Sequence, residues 1–197
     1  MLSPEKVGKP MLDSNRLCRL EQAPLWDFAL AFYAEPGIES ACLTLQDTLD
    51  VDVCELLMHS WLFVHGLEAL PRALAVQREE RNLWQRDITQ VLRHLRRTLK
   101  PQALQSSSIS ALRKTIQQAE LQAERENLQR WQSWAMQMPE NNPHLTKRAE
   151  NIQNVAQWLQ DKLLFGELDK HCLPGSSARE SVMQAWQTLA ARLDRFE

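Results

Sequence analysis

The stretch from Pro24 to Trp61 constrains the fold more than any other part of the chain. Trp26, Leu30 and Tyr33 recur at i, i+4 and i+7, the spacing of one face of a helix, with Leu25, Phe28 and Phe32 on the neighbouring strip. A helix apolar over that much of its girth is buried on two sides. The spacing predicts a helix from Pro24, suited to a first-turn position, to about Ala34. Glu35-Pro36-Gly37 breaks it. Ile38, Cys42 and Leu45 mark a second helix, Ile38 to about Asp47. Val53, Leu56, Leu57, Trp61 and Val64 mark a third, Val53–His65, stopped by Gly66. Between these two, Asp50 or Asp52 is placed to cap the third helix by accepting its free N–H groups.

Further along, the same period persists. Leu67–Arg78 reads as a short helix with Pro71 in its first turn. Asn82–Leu99 reads as a strongly periodic helix (Leu83/Trp84, Ile88, Val91/Leu92, Leu95, Leu99) ended by Pro101. Gln102–Ser108 is a polar linker, and Ser108 or Ser110 is placed to cap a long helix reaching about Met138. Its stripe is Leu112, Ile116, Ala119, Ala123, Leu128, Trp131 and Ala135. Met138–Pro143 is a break. Two more amphipathic helices follow, Thr146–Phe165, stopped by Gly166, and Ala178–Arg195, capped by Ser177 after the loop Leu173–Ser177.

The expected fold is therefore all-α: a compact bundle of about seven to eight helices with a long central helix and a C-terminal helical hairpin. The expected organisation is a flexible N-terminal arm over 1–22, with a short helical piece near Asn15–Leu20, a main helical domain over 23–138 and a hairpin over 139–197, packed on or beside it. Scarce Gly, a single Tyr and abundant Ala, Leu, Gln, Glu and Arg agree with a helical chain.

The order of motifs resembles a bacterial family of short proteins of unknown function. The residues that carry the resemblance run Trp26-Asp27-Phe28-Ala29-Leu30, Phe32-Tyr33, Pro36-Gly37, Ala41-Cys42-Leu43, Leu45-Gln46-Asp47. After them come Asp52-Val53, Leu56-Leu57, Trp61, Leu92-Arg93, Leu95-Arg96-Arg97, Leu99-Lys100 and Ala119-Glu120-Leu121-Gln122-Ala123-Glu124. The resemblance covers roughly 24–130. Ile38 and Thr48-Leu49 depart from the pattern without disturbing it. It implies an all-helical cytoplasmic protein and brings no activity with it.

Net charge is −2, which excludes a general polyanion binder. No run of about 18 apolar residues occurs, and the first residues do not have signal-peptide form. The expectation is a cytoplasmic protein without membrane attachment. Cys18, Cys42, Cys54 and Cys172 form no CxxC pair, and reduced, mostly buried thiols are expected. There is no nucleophile elbow, phosphate-binding loop or dinucleotide fingerprint. Glu55 and His59, and His59 and His65, lack metal-site spacing, so no cofactor is expected.

The most suggestive surface is Arg93, Arg96, Arg97 and Lys100, four cations on one helix face whose mutual repulsion asks for something acidic. That partner can be internal, the acidic run Asp47–Glu55, or external, an acidic protein or RNA phosphate. Trp134 and Trp158 fall off their helices' main stripes and are candidate contact residues if exposed. The favoured reading is a non-enzymatic interaction or adaptor module with a protein partner; a homodimer through the C-terminal helices also fits. One alternative is a metal-dependent hydrolase or transferase acting on a phosphorylated small molecule, with Asp47, Asp50, Glu120 and Glu124 as carboxylates. A bland role for each is an N-cap at Asp50 and a solvated face at Glu120 and Glu124. A second alternative is an RNA- or ribosome-associated protein.

Overall fold

The computed structural model describes residues 14–137, 144–164 and 175–196. The fold is all-α. In chain order the helices are α1 (Ser14–Gln22), α2 (Leu25–Tyr33), α3 (Ile38–Leu49), α4 (Val53–Val64), α5 (Pro71–Trp84), α6 (Gln90–Thr98), α7 (Lys100–Ala103), α8 (Ser107–Met136), α9 (Val155–Leu164) and α10 (Gly175–Leu193). The helical piece expected near Asn15–Leu20 is α1, and Leu20 at its end is buried.

The first three expected helices lie where the periodicity places them. Asp52 is the cap of α4: its Oδ1 accepts from the backbone N–H groups of Cys54 at 2.7 Å and Glu55 at 3.1 Å. Asp50 instead closes α3 in the left-handed conformation, φ 54°. The centre of the core is α4, whose residues Cys54–Phe63 are all buried. Trp61, Trp131 and Trp186 are almost wholly enclosed. Each removes on the order of 4–6 kcal/mol worth of apolar surface from water, before ordering costs. The Trp61 indole N–H donates to Ala23 O at 2.8 Å, so its polar edge is satisfied.

Residues 67–69 and 146–147, expected inside helices, form with Leu145 a two-stranded antiparallel ribbon, β1 (Leu67–Ala69) and β2 (Leu145–Lys147), with Leu67 opposite Lys147 and Ala69 opposite Leu145. The reason is local. Gly66 turns the chain at φ 69°, Leu67 and Ala69 are buried on one side while Glu68, on the other, meets Lys162 at 2.7 Å, and Pro71 opens α5 at its first turn. The helix expected from Thr146 starts only at Val155. There Asn154 supplies the cap that Thr146 does not, its Oδ1 accepting from Gln157 N at 3.0 Å.

Two other expectations change around the linker. Pro101 does not end the chain's helical path; after a turn at Leu99 it sits in the first turn of α7. The cap of α8 is Ser106, not Ser108 or Ser110, its Oγ accepting from Ile109 N at 3.5 Å. The expected break at Met138–Pro143, the Gly166 stop, Cys172 and Leu173-Pro174 lie outside the described residues. Gly175, Ser176 and Ser177, expected in a loop, are already within α10.

The C-terminal helices share the core: α10 lies along α3 and α9, and α9 against α4. Gly37, at φ 89°, lets α10 approach closely, since a Cβ there would stand 3.1 Å from Thr188 Cγ2. The chain from α5 to α6 runs antiparallel to α8 through a single π turn, Gln85–Thr89. Burial along α8 begins only at Glu120, so its N-terminal half and α6–α7 form a two-helix arm beside the core.

Candidate functional site

The α6–α8 contact reverses the expected orientation of α6. Arg93 and Arg96, expected on a wet ridge, turn inward, and the apolar residues Ile88, Val91 and Leu95 remain 39–49% exposed. The cause is what α8 offers at that level. Glu120 and Glu124, one turn apart, are the groups facing α6. Arg93 Nε donates to Glu120 Oε1 at 2.9 Å and its Nη2 to Glu124 Oε1 at 2.7 Å. Arg96 donates to the same Glu120 through Nη2 at 3.1 Å and through Nε. Glu120, expected on a solvated face, is 5% exposed. Burial pushes its carboxyl up, but Arg96 and Arg93 outweigh that and hold it below the usual range. For Glu124 the balance tips the other way: burial raises its carboxyl, and the shared Arg93 only partly offsets it.

Beyond this lattice the cations are freer. Arg97 reaches Asp47 at 3.4 Å with both side chains more than half exposed, a pair of little energetic weight. Arg113 donates to Arg96 O at 3.3 Å. Among the described residues no carboxylate lies in ion-pair reach of Lys100, Arg113 or Lys114.

These groups border an open cleft of about 940 Å³. One wall comes from α2 and α3, the other from α6, α7 and the first half of α8. Its cations are Arg93, Arg96, Arg97, Lys100, Arg113 and Lys114; its anions are Glu39, Asp47, Glu120 and Glu124. Three leucines from three helices stand in it exposed: Leu30 at 53%, Leu43 at 41% and Leu121 at 48%. Cys54, Gln85, Glu124 and Leu128 also line it. The cleft therefore combines an apolar lining with a rim carrying unneutralised positive charge.

The other residues singled out from sequence lie elsewhere. Of the four carboxylates of the enzyme alternative, Asp47, Glu120 and Glu124 border the cleft, and Asp50 does not. Glu120 and Glu124 are engaged by arginines, and no group of three or more His, Cys, Asp or Glu among the described residues is arranged to hold a metal ion. Trp134 is 5% exposed and stacks edge-on with Trp131 and His144. Trp158 is half-buried against Phe63 and His59. Neither offers the exposed surface that a contact role asks for. Glu55, expected to face the basic ridge, instead pairs with Arg78 inside the core, and His59 lies 3.4 Å from the same carboxylate. Burial holds His59 below its ordinary value, hence neutral. Cys42 and Cys54 are buried and Cys18 is exposed; burial pushes the Cys42 thiol up to about 12, which leaves it inert.

Sequence reading did not single out Arg113, Lys114, Gln85 or Asn127. Arg113 and Lys114 show only as an adjacent pair on the long helix. Gln85 and Asn127 show only as single polar residues within long helical segments.

A family model described as "Protein of unknown function (DUF2390)" matches residues 24–131, just over half of the chain. No curated protein and no solved structure matches it. Among the described residues, no helix is long and apolar enough to cross a membrane.

Proposed function

Because the chain belongs to the DUF2390 family of proteins of unknown function, we propose from the geometry alone that it is a non-enzymatic interaction module whose cleft docks an acidic, amphipathic segment of a protein partner. The observation that carries this reading is the coincidence of two features in one place. Leu30, Leu43 and Leu121 present apolar surface inside the cleft, and Lys100, Arg113 and Lys114 stand at its rim with no carboxylate among the described residues to answer them. A helix laid in a groove uses this combination, apolar anchors inside and complementary charge at the edge. Arg93 and Arg96 have a different part: their charges are consumed in fixing α6 against α8, and they hold the wall in place.

Phosphate of RNA is a weaker match. The cations face a cleft lined by leucines rather than an open stripe, and among the described residues no exposed aromatic is interleaved with them. The phosphorylated-substrate reading loses support because Glu120 and Glu124, two of its four carboxylates, are committed to arginines and Asp50 lies outside the cleft.

The experiment is equilibrium binding of a fluorescein-labelled helical peptide of about five turns, with leucine at i, i+3, i+4 and i+7 and glutamate on the flanks. Wild-type protein binds it saturably, and K100E/K114E binds roughly tenfold more weakly with an unchanged circular dichroism spectrum. Equal affinity for both proteins removes the basis for the proposal.

A further inference from the structure

Of the eleven large apolar side chains left exposed among the described residues, five fall on one helical run. They are Val76 and Leu83 on α5, Ile88 in the π turn, and Val91 and Leu95 on α6, each 39–75% exposed. Their steps along the chain are seven, five, three and four residues. Seven, three and four are the steps of one α-helical face. The step of five crosses the π turn, where Gln90 N–H donates to Gln85 O. A π turn adds one residue, so the place above Leu83 passes from Asp87 to Ile88 and the stripe stays in line. The contacts that draw Arg93 and Arg96 onto Glu120 turn this stripe outward. None of the five lines the cleft, so the surface is separate from the docking groove.

We propose that the outward face of the α5–α6 run is a self-association surface, on which a second copy of this chain lies end for end about a two-fold axis between Ile88 and Val91. Three observations select a second copy. The stripe reads alike from either end: Leu83 and Leu95 lie at nearly equal distances on either side of the midpoint between Ile88 and Val91. A copy turned end for end therefore sets leucine against leucine and isoleucine against valine, as an isologous contact requires.

The charge on this face also suits a copy of itself. Between Leu83 and Leu95 the exposed acid and arginine are Asp87 and Arg86, and they answer each other at 2.6 Å. Gln90 beside them is uncharged. A two-fold contact brings each patch against its own kind, so a patch with its charges already paired is not repelled. The cleft, with its unanswered cations, is the opposite case.

The area agrees. Together the five residues expose roughly 400 Å², and two copies supply about 800 Å², the apolar share of a specific interface at the small end of the range. A contact of that size gives a reversible dimer at micromolar protein, not an obligate one.

Sedimentation velocity of the full chain between about 1 and 300 μM reads the equilibrium. Wild type passes from monomer to dimer within that range. L83E alone and L95K alone each weaken association at least about tenfold, with unchanged circular dichroism spectra because both side chains are exposed. Mixed in equal amounts they recover the dimer, because the end-for-end contact brings the new acid of one chain to the new amine of the other. The pair V91E and I88K serves if either of the first two does not fold. M183E, at an exposed apolar residue of α10 away from the stripe, associates as wild type does. A wild type that stays monomeric throughout, as a face reserved for a different protein would leave it, overturns the proposal. So does a dimer indifferent to L83E, one lost equally in M183E, or a mixture no more associated than its parts.

Discussion

Arg93 on α6 and Glu120 on α8 are joined at 2.9 Å, with the glutamate 5% exposed, so a charge pair rather than an apolar seam ties the arm to the long helix. A buried pair of this kind adds little over an apolar replacement, but losing one member strands the other. Glu120→Gln leaves Arg96 without a carboxylate and Arg93 with Glu124 alone, and costs roughly 2–4 kcal/mol in urea unfolding. The double variant R93A/E120A costs clearly less than the sum of its single variants. Additive losses show that the two residues are not coupled.

The inverted orientation of α6 has its own consequence. Leu95 is 45% exposed and Leu128 is 3% exposed. Leu95→Gln changes stability by no more than about 0.5 kcal/mol, whereas Leu128→Ala costs about 2–5 kcal/mol. A large loss at Leu95 in denaturant titrations places it inside the core and contradicts the arrangement.

Asp52 gives a pH signature. Burial, then the neighbouring Glu55, raises its carboxyl from 3.8 to about 6, against the pull of the Glu55 and Cys54 N–H groups. A carboxyl raised in the folded state binds its proton more tightly there. Its contribution is therefore fully present below the unfolded value and is lost as pH rises through about 6. Asn retains the cap without the charge. D52N therefore gains on wild type between pH 4 and pH 7, by on the order of 1–3 kcal/mol. Parallel melts at the two pH values check this, and a stability difference that does not vary with pH contradicts it.

Gly37 holds φ 89° at the start of α3, with Thr188 close by on α10. Gly37→Ala imposes both a strained backbone and a contact at 3.1 Å, and lowers stability by at least about 1 kcal/mol. Thermal denaturation of the single variant reads it directly.

How much of this was legible in the sequence follows from what sets each feature. The helices between Pro24 and Val64 announce themselves because Trp26, Ile38 and Leu56 sit on stripes whose period is fixed by helix geometry. The ribbon at Leu67–Ala69 does not, since a three-residue strand has too few residues to show a period and depends on a partner some 80 positions away. The orientation of α6 was equally hidden. Its two faces are both plausible contacts, and only the level at which Glu120 and Glu124 arrive decides between them. The cleft was half legible: Arg93, Arg96, Arg97 and Lys100 were visible as a charged face, but which of them are spent on internal pairs is a tertiary fact. Asn127 was missed because a single polar residue on a 30-residue helix carries no pattern of its own.

A charge exchange across the cleft rim is the most direct test of the docking account. The glutamate-flanked peptide and its lysine-flanked counterpart are each titrated, by fluorescence anisotropy, into wild-type protein and into K100E/K114E. The account predicts a crossed result: wild type prefers the glutamate peptide, the double variant prefers the lysine peptide, and both preferences shrink as salt is raised. The same preference in both proteins contradicts it.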